Sequence, residues 1–185
     1  MRRTVSRVGA AFLIVSALAG CNALGAAKSR VFGSSQPAER DCPAAVILRP
    51  LANTATFAPG AAPRPENVAF YGLLDEVDTD CEALQGAVRV HLTVDVIGQR
   101  GPAARGDAAD FAYFVAAVAP GERVLQKQPL TVRVPIPADK LRAGVADQFE
   151  EVIPLDGHTA GALTIDVGFQ QGPEAVEFYK HFRGR

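Results

Sequence analysis

Val88-Arg89-Val90-His91-Leu92-Thr93-Val94-Asp95-Val96 alternates an aliphatic side chain with a polar one over nine residues. Successive side chains on a strand point to opposite faces, so this stretch predicts a β-strand with one face in a core and the other in water. Arg89, His91, Thr93 and Asp95 then form a candidate interaction row on the wet face. Leu130, Val132, Val134 and Ile136 repeat the period, as do Leu163, Ile165, Val167 and Phe169. Less regular apolar runs at 44–49, 68–75, 111–118 and 149–155 bring the expectation to about seven strands.

The breaks between these runs carry turn chemistry: Pro59-Gly60, the segment 98–106, Pro120-Gly121 and Asp156-Gly157. Short strands with such punctuation predict an all-β fold, a single antiparallel β-sandwich of Ig-like or fibronectin-like outline. Long helical segments do not alternate with the strands, which counts against a parallel α/β sheet. Residues 137–144 read as one or two helical turns between strands. After Gly172, Pro173 suits a first helical position and Glu174 the positive helix end, while Ala175, Phe178, Tyr179 and Phe182 share one face. A short C-terminal helix is therefore expected.

A chain of 185 residues with 48% hydrophobic content is long enough and apolar enough for one packed domain. Its first twenty residues hold Arg2, Arg3 and Arg7 and no acid, and they continue in an apolar stretch from Val8 to Ala19. That is the layout of a secretory signal, too short to span a bilayer. The stretch ends in Leu18-Ala19-Gly20-Cys21, which resembles the lipobox of bacterial lipoproteins. The resemblance implies cleavage before Cys21, diacylation of its thiol and anchoring in a lipid bilayer, since two or three acyl chains hold where one does not. Asn22 in place of aspartate directs the expectation to the outer membrane, with the domain facing the periplasm.

Removal of 1–20 leaves 16 basic and 20 acidic residues, a formal charge of −4. Without a Lys/Arg run in the domain, that charge argues against binding nucleic acid or an anionic membrane surface through charge; envelope proteins are the expected partners of the anchored domain. Residues 21–41, rich in Ala, Gly, Ser and charge, read as the lipid-modified cysteine and a flexible tether, and 42–185 as the sandwich with its helix. Once Cys21 is assigned to the lipid, Cys42 and Cys81 remain, and an even pair in an oxidising compartment reads as a disulfide. The turn-rich stretch 59–65 lies midway between them, so a folded-back pair of strands would bring both cysteines to its open end.

Cys42-Pro43, Cys81, Gly101-Pro102, Tyr113-Phe114-Val115-Ala116, Lys127 and Gly168-Phe169-Gln170 together resemble a group of uncharacterised lipoproteins, mostly alphaproteobacterial. The likeness runs over nearly the whole domain and departs at Gln171-Gly172. It implies an address and no activity.

The inventory of reactive residues excludes common chemistries. The segment 42–185 contains no serine, which removes serine hydrolysis. Paired cysteines are not nucleophiles. His91, His158 and His181 do not repeat at metal-ligand spacing. Glu150 and Glu151 are strand neighbours and would face opposite sides, unsuited to joint acid/base work. Arg105-Gly106-Asp107 and the glycines at 98 and 101 read as loop chemistry, with no phosphate cradle. In Asp75-Glu76-Val77-Asp78-Thr79-Asp80-Cys81-Glu82 the carboxylates of Asp75, Asp78, Asp80 and Glu82 are candidate ligands for a hard cation such as calcium, in what reads as an acidic loop. No catalytic residue and no cofactor is expected. The sequence favours a non-catalytic interaction or structural module, with a calcium or small-ligand binder second and an envelope hydrolase third.

Overall fold

The stretch from Val88 to Val96 lies within the strand Ala87–Arg100, and its five aliphatic side chains are each no more than 2% exposed. The structure, a computed structural model, describes residues 42–182. The signal segment 1–20, the lipobox ending at Cys21 and the tether 22–41 lie outside the described residues. In chain order the strands are β1 (Ala44–Ile47), β2 (Asn53–Phe57), β3 (Val68–Leu84), β4 (Ala87–Arg100), β5 (Ala108–Ala119), β6 (Arg123–Pro135), β7 (Arg142–Pro154) and β8 (Thr164–Phe169), followed by helix α1 (Pro173–His181). Sheet A has the order β1-β8-β5-β6 and sheet B the order β2-β3-β4-β7. Their inner faces meet in an all-β sandwich, and every neighbouring pair is antiparallel except β1 with β8.

The eighth strand is β2. Both Thr54 and Ala55 are buried, because β2 has the sandwich core on one side and α1 on the other. A strand covered on both faces shows no alternation, which hid it from the period. Residues 137–144 differ from expectation in another way: they hold a single turn, closed by the Lys140 N–H donating to the Pro137 carbonyl at 2.8 Å, and then the start of β7. Pairing of β7 with β4 begins at Arg142 opposite Gln99, and that ladder takes the backbone groups a helix would have used.

Gly98 does not open a turn but sits inside β4, opposite Gly72 of β3. The Phe111 ring from sheet A lies against both glycines. A Cβ on Gly72 would stand 2.9 Å from that ring, and one on Gly98 would stand 2.6 Å from Ile136 Cδ1. Phe111 lies in the space of the side chain missing at Gly72, beside Thr54, and Ile136 takes most of that missing at Gly98. Phe111 in turn packs on Phe169, with ring centroids 5.8 Å apart.

The long strand β3 also corrects the acidic loop. Asp75 and Glu76 form a bulge: Leu74 pairs with Val96 and Val77 with Val94, so β3 has one residue more than β4 between these rungs. Before the bulge Phe70, Gly72 and Leu74 face the core; after it Val77, Thr79 and Cys81 do, while Asp78, Asp80 and Glu82 face out. The acidic stretch is therefore strand with a wet face.

Cys42 and Cys81 are bonded, with Cα atoms 5.7 Å apart. They do not close the first two strands. Cys42 precedes β1 in sheet A and Cys81 is in β3 of sheet B, because a 3-10 turn at Arg49–Leu51 carries the chain from one sheet to the other before β2 begins. The bond thus ties the two sheets together.

Helix α1 follows its expected register, with Ala175 and Phe178 buried. Phe178 packs against Phe57, Tyr71, Tyr179 and Phe182, with centroids 5.1–6.4 Å apart. Gln171 Nε2 donates to the Asn53 carbonyl at 2.7 Å, which ties the approach to the helix onto β2.

Two stability predictions follow from this packing. Gly98→Ala and Gly72→Ala should each destabilise by about 1–3 kcal/mol through overpacking. Gly144→Ala, whose Cβ would meet only ordinary contacts at 3.5 Å, should be close to neutral. Urea midpoints of the three variants would show the ranking, and equal midpoints would contradict the packing account. Reduction of the disulfide, whose cysteines are 39 residues apart, should cost about 4 kcal/mol in the chain-entropy account. Denaturation with and without reductant measures it.

Candidate functional site

The outer face of sheet B is built by register. Residues directly opposite on antiparallel strands share a face, and the ladders β3-β4 and β4-β7 place three-residue rows across the sheet. One row is Glu82, Arg89 and Val152; the next is Asp80, His91 and Glu150; the third is Asp78, Thr93 and Gln148. Asp95 stands opposite the bulge, with Ala146 on its other side. All four side chains of the candidate row therefore share this face with acidic neighbours.

Arg89 is held from both sides. Its Nη1 pairs with Glu82, and its Nε lies 3.1 Å from Glu150 Oε1, a diagonal neighbour on β7. The second oxygen of Glu150 lies 3.3 Å from His91 Nδ1. These groups are half exposed, and exposed pairs of this kind contribute at most about 1 kcal/mol each. Their effect is to fix side-chain directions. Five carboxylates, those of Asp78, Asp80, Glu82, Asp95 and Glu150, stand on the face with the guanidinium of Arg89 among them, and Arg142, opposite Gln99, lies at the far end of the same face.

The structure separates the four candidate cation ligands. Asp78, Asp80 and Glu82 alternate along one strand, so successive Cα atoms are about 6.6 Å apart, and Asp75 belongs to the bulge. Asp80 Oδ1 accepts the Cys81 N–H at 2.9 Å. Among the described residues no group of three or more His, Cys, Asp or Glu side chains is arranged to hold a metal ion. Asp75 instead shares with Asp95 a pocket of 240 Å³ whose remaining wall is residues 96–97 and 144–146.

The histidines lie apart. His91 meets Glu150, His158 Nε2 is 3.4 Å from Arg123 Nη2, and His181 is 2.8 Å from Glu177. The Arg105-Gly106-Asp107 tripeptide lies in the β4-β5 loop, where the Gly106 carbonyl accepts from Arg100 Nη1 at 2.8 Å.

The inner face of β7 is not wholly apolar: the alternation Ala143, Val145, Asp147, Phe149, Glu151, Ile153 puts two carboxylates into the sandwich. Fully buried Tyr113 of β5 donates its hydroxyl to Asp147 Oδ2 at 2.8 Å. Gln126 Nε2 of β6 donates to Glu151 Oε1 at 2.5 Å. Both bonds cross from sheet A to sheet B. Burial, then the hydrogen bond to Asp147 and its charge, push the Tyr113 hydroxyl far above the usual phenol range. Burial raises Glu151 as well, opposed by the hydrogen bond from Gln126. The signal for these residues was present in the sequence as two acids at the inward parity of Ile153. Glu150 and Glu151 do face opposite sides, one exposed and one buried.

The Glu151 shift has a sign that can be measured. Its folded-state value lies above the ordinary glutamate value, so the folded protein binds more protons than the unfolded chain across that window and loses stability as pH rises through it. Glu151→Gln, which can still accept from Gln126, should gain stability relative to the unsubstituted protein as pH goes from about 4 to 7. Urea unfolding at several pH values checks this, and a pH-independent difference would contradict it. Compared with family models, with curated proteins and with solved structures, the chain shows no match, so the reading of its face rests on its own residues.

Proposed function

We propose that the protein is a lipid-anchored lipoprotein of the bacterial envelope, a non-catalytic interaction module whose outer sheet-B face docks an envelope protein. The observation that carries the docking part is the row Arg89, His91, Thr93 and Asp95, aligned by register, with Arg89 and His91 held by Glu82 and Glu150. The excess of carboxylates favours a partner with a basic surface, through steering and specificity more than raw affinity. The inward polar groups, by contrast, are engaged with each other: Tyr113 with Asp147, and Gln126 with Glu151. Anchoring rests on the likeness of Leu18 to Cys21 to a lipobox. The Cys42–Cys81 bond supports export, since such bonds persist in oxidising compartments. No described helix is long and apolar enough to cross a membrane. Asn22 favours the outer membrane, with the domain in the periplasm.

Replacement of Cys21 by Ala should release the protein from the membrane fraction or leave it unprocessed, and fully processed, membrane-bound Cys21→Ala protein would refute the anchor. Crosslinking in intact cells should capture an envelope protein whose yield falls at least tenfold with Glu150→Lys combined with Asp80→Lys. Unchanged capture by that variant would remove the face from the reading. Turnover of an envelope substrate by the purified protein would put an enzyme in its place.

A further inference from the structure

At the disulfide end of the sandwich the β3-β4 hairpin leaves part of its inner side uncovered. Ala83 stands in register with Val88, yet it is exposed where Val88 is buried. Below it is a pocket of 330 Å³ walled by Ala83, Leu84, Val88, Leu155 and Ala160 beside Cys81. Thr159 is the one other polar residue on this wall, and no charged residue lines it. The volume is at the lower end of small-ligand sites, about 300–1,000 Å³.

The lining selects the ligand chemistry. A polar ligand would give up its hydration for no more than the Thr159 hydroxyl among the lining side chains, whereas a hydrocarbon chain gives up no hydrogen bonds on entry and removes the apolar wall from water. Cys42, where the described chain begins, is bonded to Cys81 on this wall, so the segment leading from Cys21 joins the domain at this end. A lipid-attached segment would thus meet the domain beside this pocket.

We propose that this pocket binds one acyl chain of an envelope lipid. The source of the chain, a bilayer lipid, rests on the lipid-anchored reading; the preference of the pocket for hydrocarbon does not. Stable anchoring keeps at least two of the protein's own acyl chains in the bilayer, so a neighbouring lipid is the source taken for the chain in the pocket.

The test begins with full-length Cys21→Ala protein, purified without detergent and titrated with dodecanoate in a calorimeter. One equivalent should bind. Ala83→Phe, which fills the pocket, and Leu84→Asp, which places a charge on its wall, should each weaken binding at least tenfold with melting temperatures near that of the parent. Leu84 is half exposed, so the second substitution serves if the first disturbs the fold. No binding by the parent, or equal binding by a folded variant of either kind, overturns the pocket. In nanodiscs, acylated protein should then crosslink to a phospholipid with a photoactivatable acyl chain at residues 81–88 or 155–160. Retained dodecanoate binding without this crosslink would overturn the bilayer lipid as source. Loss of membrane association is read separately, by fractionation of the Cys21→Ala protein.

Discussion

The bulge at Asp75 and Glu76 decides which way every later side chain of β3 points, and much of the molecule depends on that choice. A strand's side chains keep their faces for as long as the register is unbroken, and one extra residue exchanges the faces. Without it, Asp78, Asp80 and Glu82 would enter the sandwich, at a desolvation cost no nearby cation offsets. Cys81 would face water, out of reach of Cys42. With it, the hydrophobic face of β3 stays continuous from Phe70 through Val77 to Cys81, and the carboxylates join the outer rows of β4. The disulfide and the acidic face are two results of one inserted residue.

The two sheets are held differently at their two margins. On the side of β1 and β3 the link is covalent, through Cys42 and Cys81. On the side of β6 and β7 it is polar, through Tyr113 to Asp147 and Gln126 to Glu151. Between them lies the core of Phe111, Leu92, Val94, Val96, Ile165 and Val167. Apolar burial there supplies most of the stability and is non-directional. The hydrogen bonds at the open margin add little net energy, but breaking one would leave a buried polar group unpaired, so they specify how the sheets align.

Strands with one wet face were legible because alternation is a direct imprint of burial: Val88 to Val96, Leu130 to Ile136 and Leu163 to Phe169 all read correctly. Helix α1 was legible from Pro173 and the spacing of Ala175 and Phe178. Elements whose burial has another cause were not. β2 is covered on both faces, Gly98 is in a strand where Ile136 and Phe111 from the other sheet come too close for a side chain, and the bulge interrupts the period of β3 where acids suggest a loop. The pairing of Cys42 with Cys81 could be read from their number, but its path between sheets depends on the turn at Arg49–Leu51. For the site, the row on β4 was legible. Its neighbours on β3 and β7 were not, since cross-strand partners are set by register between segments more than fifty residues apart for β4 and β7.

The inward carboxylates of β7 bear on how the molecule meets others. β6 and β7 are both thirteen-residue strands at the margin of their sheets, and an unpaired edge of that length is a template for another strand. Inward-pointing charge is one device that blocks such pairing, because an added strand that continued the sheet would bring its own core face against Asp147 and Glu151. Pro129 and Pro135 on β6 and Pro154 on β7 remove backbone donors along the same margin. A protein guarded against strand addition at its long edges, with an ordered polar face beside one of them, is suited to contact through side chains on the face of sheet B. That is the geometry on which the proposed docking surface depends, and it leaves the edges to the fold.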